Sequence, residues 1–214
     1  MPYVVGVAGG SGGGKTALTR ALVAALSPGR VALLAHDAYY CDRGDTNPAE
    51  RGALNFDVPD ALDQDFFLAH LAALRQGRAI EAPRYCFVTH RRLGRGQRVE
   101  PREVVLVEGI LLLHDARVRE LLDFRIYVEA PADLRLARRV TRDVTERGRT
   151  AEAVLAQCRD TVLPAHVRYV EPTKAWADLV LVNAGRLEAV VEVASAVIRA
   201  RLAQQGSPGG ARAA

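Results

Sequence analysis

The sequence predicts an α/β fold in which a central parallel sheet is covered by helices on both faces. Short apolar stretches alternate with helical patterns along the chain, as in a series of β-α units. The run VVLV at residues 104–107 is apolar at every position, which is typical of a strand buried on both faces. With 214 residues and 49% hydrophobic residues, one domain is expected over residues 1–203. A tail rich in Gly, Ser, Pro and Ala, expected to be disordered, occupies residues 204–214.

The first predicted element is a strand at residues 3–8, followed by the sequence GGSGGGKT at 9–16 and a helical pattern at 17–26. This is the strand-loop-helix setting of a phosphate-binding loop, so the fold is of the P-loop NTPase type. Backbone N–H groups would surround a polyphosphate, while Lys15 reaches the outer phosphates and Thr16 holds Mg²⁺. The alternative is a flexible glycine turn that happens to carry Lys and Thr. The predicted nucleotide-binding residues are Gly9, Gly10, Ser11, Gly12, Gly13, Gly14, Lys15 and Thr16.

Further strands are expected at 31–35, 104–107, 124–128 and 179–182. Residues 41–55 are polar and contain Gly and Pro, which indicates a long surface loop. A hairpin insertion is predicted at about 79–100, with strands 79–88 and 97–100 joined through Gly94 and Gly96.

The predicted helices have recognisable ends. One opens at Pro59 to Leu62 and ends at Gly77, and another follows Pro131 and stops near Gly148. Thr150 is the expected N-cap of a third, which runs to about residue 169 with a kink or break at Pro164. The second and third of these helices form a predicted lid at about 131–160. A last helix is expected at 187–202.

Composition argues against several classes of protein. The net charge is only +4, and the basic residues concentrate at 84–102 and 135–149, which suits small phosphorylated ligands better than nucleic acid. Three widely separated cysteines, Cys41, Cys86 and Cys158, indicate neither disulfides nor zinc, so the cytoplasm is the expected compartment. No apolar run approaches the roughly 18 residues of a membrane span, and no signal peptide is recognisable.

Two acidic residues lie at predicted strand ends, where ligands bind in open α/β sheets. Glu108 closes the run 104–107 and is a candidate for the Mg²⁺ shell together with Thr16, since magnesium takes a few oxygen ligands and keeps several waters. Its alternative is an ordinary capping or surface glutamate. Asp37 fits a carboxylate that accepts a hydroxyl proton during phosphoryl transfer. From position alone, a turn-forming aspartate is an equal alternative.

Arginines after Pro131 supply planar guanidinium groups that match phosphate geometry. They are Arg139, Arg142, Arg147 and Arg149. Spacing alone favours a solvated helix surface, because Arg139 with Asp143, Arg142 with Glu146 and Asp143 with Arg147 are i,i+4 pairs. The break at 147–150 instead suits a junction between two helices that closes as a lid.

At this point the sequence resembles the uridine kinase (uridine-cytidine kinase) family of P-loop nucleoside kinases over residues 4–202. Several motifs in the family order are more specific than the phosphate loop alone. They are GGSGGGKT at 9–16, HDAYY at 36–40, NFDVPDA at 55–61, YCFVTH at 85–90, VEGIL at 107–111, RR at 138–139, RD at 142–143 and ERGR at 146–149. The resemblance implies transfer of phosphate from ATP or GTP, with Mg²⁺, to the 5′-hydroxyl of uridine and cytidine in pyrimidine salvage. It also implies a homotetramer.

The resemblance further implies individual roles. Asp37 takes the 5′-hydroxyl proton with Tyr40 nearby, and Asp57 and Arg139 hold the ribose hydroxyls. The remaining assignments are Tyr85 and His90 on the pyrimidine, Arg149 and Gln157 completing the base site, and Arg142 and Arg147 on the ATP phosphates. Without the resemblance, Tyr85 and His90 would be interpreted as hairpin surface residues.

The sequence departs from the family pattern in two places. Val58 stands where many relatives have His, and Cys41 stands where a basic residue is common, which affects fine specificity rather than the reaction. Residues 183–186 match the family's adenine-side loop only loosely and are not assigned.

Other functions remain alternatives at this stage. A phosphoribulokinase-like or pantothenate-kinase-like enzyme would not need Tyr85 and His90. A GTPase-type switch would need an N-K-x-D segment, which the sequence lacks. An RNA-binding module would need aromatic residues interleaved with a continuous basic stripe.

Overall fold

The computed structural model describes residues 1–44, 46–47 and 54–206. Within these residues the main sheet has five parallel strands in the order β2-β5-β1-β6-β7, and β3 and β4 form a separate antiparallel pair. The strands are β1 Tyr3–Ala8, β2 Val31–Ala35, β3 Ile80–Cys86, β4 Arg91–Val99, β5 Val104–Glu108, β6 Phe124–Glu129 and β7 Leu179–Val182. This confirms the predicted α/β class with a parallel sheet.

Helices cover both faces of this sheet. The α-helices are α1 Lys15–Ala25, α2 Gln64–Arg75, α3 Ala116–Leu121, α4 Ala132–Arg147, α5 Ala151–Gln157, α6 Leu163–Ala165 and α7 Leu187–Gly206. The 3-10 turns are Pro28–Arg30, His36–Tyr39, Pro59–Ala61 and Glu171–Trp176, and the π-helical turns are Cys158–Val162 and His166–Val170. None of the helices in the described ranges is long and apolar enough to cross a membrane.

The core consists of two layers on opposite faces of β1, whose residues are all buried. Val4 belongs to the cluster that includes Phe67 and Leu71 of α2, whereas Val5 and Val7 pack with Leu18 and Leu22 of α1. Alternate residues of a strand point to opposite faces, so one continuous apolar strand serves both layers. β1 and β2 both pair in parallel with β5, so the carboxyl ends of these three strands meet at one edge of the sheet.

The start of α2 differs from the prediction. The helix begins at Gln64, not within 59–62, because Asp63 is its N-cap and its side chain accepts a hydrogen bond from the Phe66 N–H at 3.4 Å. Pro59–Ala61 is a separate 3-10 turn, and Leu62 is extended and forms a β-bridge with Tyr40. The turn thus joins the segment after β2 to the segment before α2.

The hairpin exists, but its turn was predicted in the wrong place. The chain reverses at residues 87–90, where His90 has φ of 53°, and Gly94 and Gly96 lie inside β4. The pairing register shifts between Ala82 and Arg84, and a Cβ on Gly96 would lie 3.0 Å from the Ala82 carbonyl oxygen. Gly96 therefore marks a close approach of two backbones rather than a turn. The turn at 87–90 instead brings Phe87 and His90 to the tip.

The helices of the region predicted as a lid begin and end at the predicted signals. Gly148 ends α4 in the left-handed conformation, and the Thr150 side chain accepts a hydrogen bond from the Ala153 N–H at 3.2 Å. After α5 the chain stays helical through Pro164 by alternating π-helical turns with α6. The last helix runs to Gly206, so residues 204–206 are helical rather than part of a tail. The rest of the predicted tail, and residues 45 and 48–53 of the predicted surface loop, lie outside the described residues.

Candidate functional site

The phosphate loop follows β1 and is packed tightly against its neighbours. Gly12 has φ of 75°, and a Cβ there would lie 2.2 Å from the Arg135 carbonyl oxygen in α4. A Cβ on Gly9 would approach the Val128 carbonyl oxygen of β6 equally closely. Only glycine fits these two positions, because the backbone conformation and the space both exclude a side chain. The loop leads directly into α1, whose N-terminus favours anions.

Lys15 at the start of α1 is buried, and its Nζ donates a hydrogen bond to the Gly10 carbonyl oxygen at 3.1 Å. Burial lowers the pKa of Lys15, and the nearby carboxylates of Glu108 and Asp37 oppose that shift. The lysine thus lies between the loop and both acidic residues singled out in the sequence.

Thr16 and Glu108 lie together at the ends of α1 and β5. The Thr16 hydroxyl donates to the Glu108 carboxylate, with oxygen-oxygen distances of 2.7 and 2.9 Å. Burial raises the pKa of Glu108, and the charge of Lys15 opposes the shift. A hydroxyl and a single carboxylate next to a phosphate loop are oxygen donors that suit Mg²⁺. The residues present therefore fit this ion.

An arginine-lined cleft opens beside the loop, with an empty volume of about 510 Å³ that includes space open to solvent. It brings together all of the residues assigned to the nucleoside from the sequence. Its lining consists of Ser11, Asp37, Tyr40, Phe56, Asp57, Tyr85, Phe87, His90, Ile110, Arg139, Arg142, Arg147, Arg149 and Gln157.

Arg139 joins the phosphate loop to this cleft. It donates to the Ser11 hydroxyl at 2.9 Å and to the Gln157 side-chain carbonyl at 3.3 Å. Its guanidinium also lies 3.6 Å from the buried carboxylate of Asp57. Burial raises the pKa of Asp57, and the charge of Arg139 opposes the shift. Asp57 and Arg139 thus present an acceptor and a donor at the same point.

Asp37 lies in the 3-10 turn His36–Tyr39, directly after β2. The ring of His36 anchors this turn, since its Nε2 is 3.0 Å from the Gln64 Oε1 and the ring packs against Phe67, with centroids 4.2 Å apart and the planes tilted by 42°. Asp37 is half-buried, and its carboxylate acts on the electrostatics of Lys15, Asp57 and Glu108. It therefore faces the phosphate loop and the cleft together.

Aromatic rings form one wall of the arginine-lined cleft. The Phe56 ring stacks on His90 with centroids 4.7 Å apart at 11°, and the Tyr40 ring lies 5.3 Å from both Phe56 and Tyr85. Burial raises the pKa of the Tyr40 phenol well above its ordinary value, so the hydroxyl stays protonated near neutral pH. This wall presents flat apolar surfaces with hydrogen-bonding groups among them, as expected for a planar ring ligand.

Asp143 holds the arginines of the opposite wall. Its side chain is fully buried, and its carboxylate lies 2.8 Å from Arg142, 3.3 Å from Arg147, 3.6 Å from Arg149 and 3.7 Å from Arg139. The interpretation of these pairs as a solvated helix surface is therefore wrong, although the i,i+4 pairs with Arg139 and Arg147 are real. Arg142 pairs with Asp143 rather than with Glu146. A single buried carboxylate thus lies within 4 Å of four arginine side chains at the cleft.

This geometry agrees with comparisons to known proteins. A model of the phosphoribulokinase / uridine kinase family matches residues 4–189. The chain belongs to this family. A uridine kinase of Chloroflexus aurantiacus is 42% identical over 201 residues, which covers 94% of this chain and 96% of that protein. One from Brevibacillus brevis is 41% identical over 197 residues, 92% of each chain. The structure of phosphoribulokinase from Rhodobacter spheroides superposes with a TM-score of 0.60 at 15% identity, covering 85% of this chain and 70% of that one.

Sequence reasoning missed several residues of this family member's site. Phe56 and Phe87 line the cleft beside residues that were chosen, so their neighbours in the motifs NFDVPDA and YCFVTH were the available signal. Asp143 was seen only as a helix pair, although its spacing to both Arg139 and Arg147 indicated a shared partner. The two departures from the family pattern, Val58 and Cys41, line a separate pocket behind Phe56.

Asn183, in the unassigned segment after β7, also belongs to the phosphate-loop region. It is buried, and its Nδ2 donates to the Gly13 carbonyl oxygen at 2.9 Å. A Cβ on Gly14 would lie 2.3 Å from that nitrogen. The end of β7 therefore braces the loop from the side opposite to the cleft.

Proposed function

We propose that this family member transfers the γ-phosphate of ATP to the 5′-hydroxyl of uridine and cytidine, which yields UMP and CMP. The arginine-lined cleft carries the proposal, because it places two carboxylates, an aromatic wall and four arginines directly beside the phosphate loop. The aromatic wall suits a pyrimidine, and the name of the relatives of about 40% identity agrees with this choice. ATP is the preferred donor in this proposal, and GTP is the alternative.

The chain's own residues supply three actions in the proposed reaction. Asp57 accepts hydrogen bonds from the vicinal ribose hydroxyls beside Arg139, while Tyr85 and His90 contact the pyrimidine and Arg149 and Gln157 complete the base site. Asp37 accepts the 5′-hydroxyl proton as the oxygen attacks the γ-phosphorus and the bond to the β-phosphate oxygen breaks. Lys15, Arg142 and Arg147 stabilise the charge on the transferred group.

Thr16 and Glu108 are the residues that would hold Mg²⁺. When bound, this ion neutralises phosphate charge and orients the phosphate oxygens. The homotetramer implied by the resemblance and the cytoplasmic location indicated by the cysteines are part of the same proposal. Light scattering after size-exclusion chromatography measures the oligomeric state.

The test is a phosphate-transfer assay with ATP and Mg²⁺ across uridine, cytidine, adenosine, ribulose 5-phosphate and pantothenate. We expect products only from uridine and cytidine. Transfer to adenosine, ribulose 5-phosphate or pantothenate without transfer to uridine or cytidine would contradict the proposed function. The same rates measured with GTP in place of ATP show which nucleotide is the preferred phosphate donor.

A further inference from the structure

Phe87 lies where the hairpin meets the lid. It is half-buried in the turn between β3 and β4, and its ring packs edge-on against Tyr85 with centroids 5.3 Å apart. The guanidinium carbon of Arg147, at the end of α4, lies 4.4 Å from the centroid of the same ring. A cation at this distance over a ring is attracted by the negative π face. Phe87 thus touches a base-side residue with its edge and a phosphate-side residue with its face.

Arg147 is held between two partners from different parts of the fold. On one side is the Phe87 ring, and on the other is the Asp143 carboxylate at 3.3 Å. Asp143 is in the same helix as Arg147 and moves with it, whereas Phe87 belongs to the separate two-stranded sheet. Where Arg147 points therefore depends on where the hairpin tip is.

The hairpin is fixed, close to its tip, to the segment that carries Asp37. Arg92, two residues after His90, donates to the carbonyl oxygens of Tyr40 at 2.9 Å and Tyr39 at 3.1 Å. It also donates to Asp63 at 3.1 Å. The hairpin is thus anchored beside Asp37 close to its tip, and the turn beyond this anchor contacts Arg147. A nucleoside held by Tyr85 and His90 would order the tip.

We propose that Phe87 is a positioning residue that couples nucleoside binding to the placement of Arg147 on the phosphate donor. This inference rests on the proposed function, because it takes Tyr85 and His90 as nucleoside contacts. A bound nucleoside orders the turn, the ordered Phe87 ring fixes the guanidinium, and the donor then binds more tightly. By thermodynamic linkage, the donor tightens nucleoside binding by the same factor.

The experiment compares the affinity for β,γ-imido-ATP with and without saturating uridine, measured by isothermal titration calorimetry. In the wild type, uridine is expected to lower the Kd of the analogue by about fivefold, in the range of a single partly buried cation–π contact. Phe87→Leu keeps an apolar side chain without a ring, so the ratio is expected to fall to about one. Phe87→Met serves the same purpose if the leucine variant does not fold. Val88→Ala, on the same turn and 63% exposed, is the matched control and should keep the wild-type ratio.

The outcomes distinguish failure of this coupling from failure of the proposed function. A ratio of about one in the wild type, or a wild-type ratio in Phe87→Leu, overturns the coupling even when uridine is phosphorylated normally. Weaker uridine binding in Phe87→Leu with an unchanged ratio also overturns it, since Phe87 would then act only as a base contact. Failure of the wild type to bind uridine overturns both statements. In a double-mutant cycle, Phe87→Leu is expected to add no further loss of coupling to Arg147→Gln.

Discussion

The phosphate loop and the arginine-lined cleft are built in different ways. The loop uses consecutive residues, and its shape comes from the backbone of glycines that β6 and α4 approach closely. The cleft uses side chains from the segments after β2 and before α2, from the hairpin, and from α4 and α5. Its shape comes from partners such as Asp143 and His36 that lie behind the lining. Substitutions in the loop should therefore affect binding and stability together. Substitutions in the cleft should each affect a single ligand or step, with stability changing only where a buried charge is removed.

The largest effect is expected for Asp37→Asn. The amide cannot accept the 5′-hydroxyl proton, so kcat should fall by about 10²–10⁴-fold, the contribution typical of a general base. Affinities for ATP and uridine should stay within about threefold of wild type. Steady-state kinetics and calorimetry measure both. Asp42→Asn, on the exposed segment that follows, is the control, and an unchanged kcat in Asp37→Asn would remove this residue from the base role.

Gly12→Ala tests the loop side of the comparison. The left-handed conformation of this residue costs about 1–2 kcal/mol for an L-residue with a Cβ, and the Arg135 carbonyl oxygen blocks the added atom. We expect at least about tenfold weaker ATP binding together with a lower melting temperature. Gly29→Ala, where nothing lies within 4 Å of the added Cβ, should change neither quantity. A variant that binds ATP normally would mean that the loop tolerates the displacement.

Asp143→Asn tests the cleft, whose shape depends on side-chain partners. The amide keeps the shape but removes the charge that gathers Arg139, Arg142, Arg147 and Arg149. We expect about tenfold lower kcat/KM for ATP, because the repelling guanidinium groups lose their common partner. Glu146→Gln, an exposed position on the same helix, is the control. Wild-type kcat/KM in Asp143→Asn would show that the arginines are placed without it.

The smallest expected effect concerns stability, at Asp57. Burial raises the pKa of this carboxyl, so the folded protein holds the proton at pH values where the unfolded chain has lost it. Stability from this group therefore falls as pH rises from the ordinary aspartate pKa through the raised folded-state value. Asp57→Asn should raise the melting temperature by about 2–4 °C at pH 7.5, which corresponds to roughly 1 kcal/mol.

That gain should disappear below the ordinary aspartate pKa, where both forms are neutral. Differential scanning fluorimetry across pH measures it, with the exposed Asp60→Asn as control. A lower melting temperature at pH 7.5 would mean that the ion pair with Arg139 outweighs the burial of the charge. Asp57→Asn should also bind uridine more weakly, because its amide NH₂ replaces a carboxylate oxygen that accepts a hydrogen bond by a group that donates one.

The two regions also differ in how far the sequence predicts them. The phosphate loop and the strands of the main sheet follow from local patterns, since apolar runs and glycine spacing act over a few residues. The hairpin turn was misplaced because Gly94 and Gly96 lie inside β4, where Gly96 allows a close approach between strands, and spacing cannot distinguish this from a turn. Likewise, the inward direction of Asp143 depends on how α4 packs against α5 and not on its i,i+4 neighbours.

Physical reasoning on the isolated chain gave Asp37 and the four arginines of the cleft, with alternatives left open, and the other cleft residues assigned to the nucleoside came from motifs matched to a family. Tyr85 and His90 alone would have been interpreted as surface residues, because only the folded hairpin brings them to Tyr40 and Phe56. Phe87 was overlooked for the same reason. Contacts between distant segments are set by the tertiary fold, so the local patterns of a single sequence do not predict them.

The hydrogen bond from Asn183 to Gly13 joins residues 170 positions apart. A ribosome therefore has to release the seventh strand before the brace behind the first loop can form. Until then, a nascent chain carries the phosphate-binding motif without this hydrogen bond. Any ligand that favours the braced form of the loop can stabilise the chain in this way only after translation has passed that asparagine.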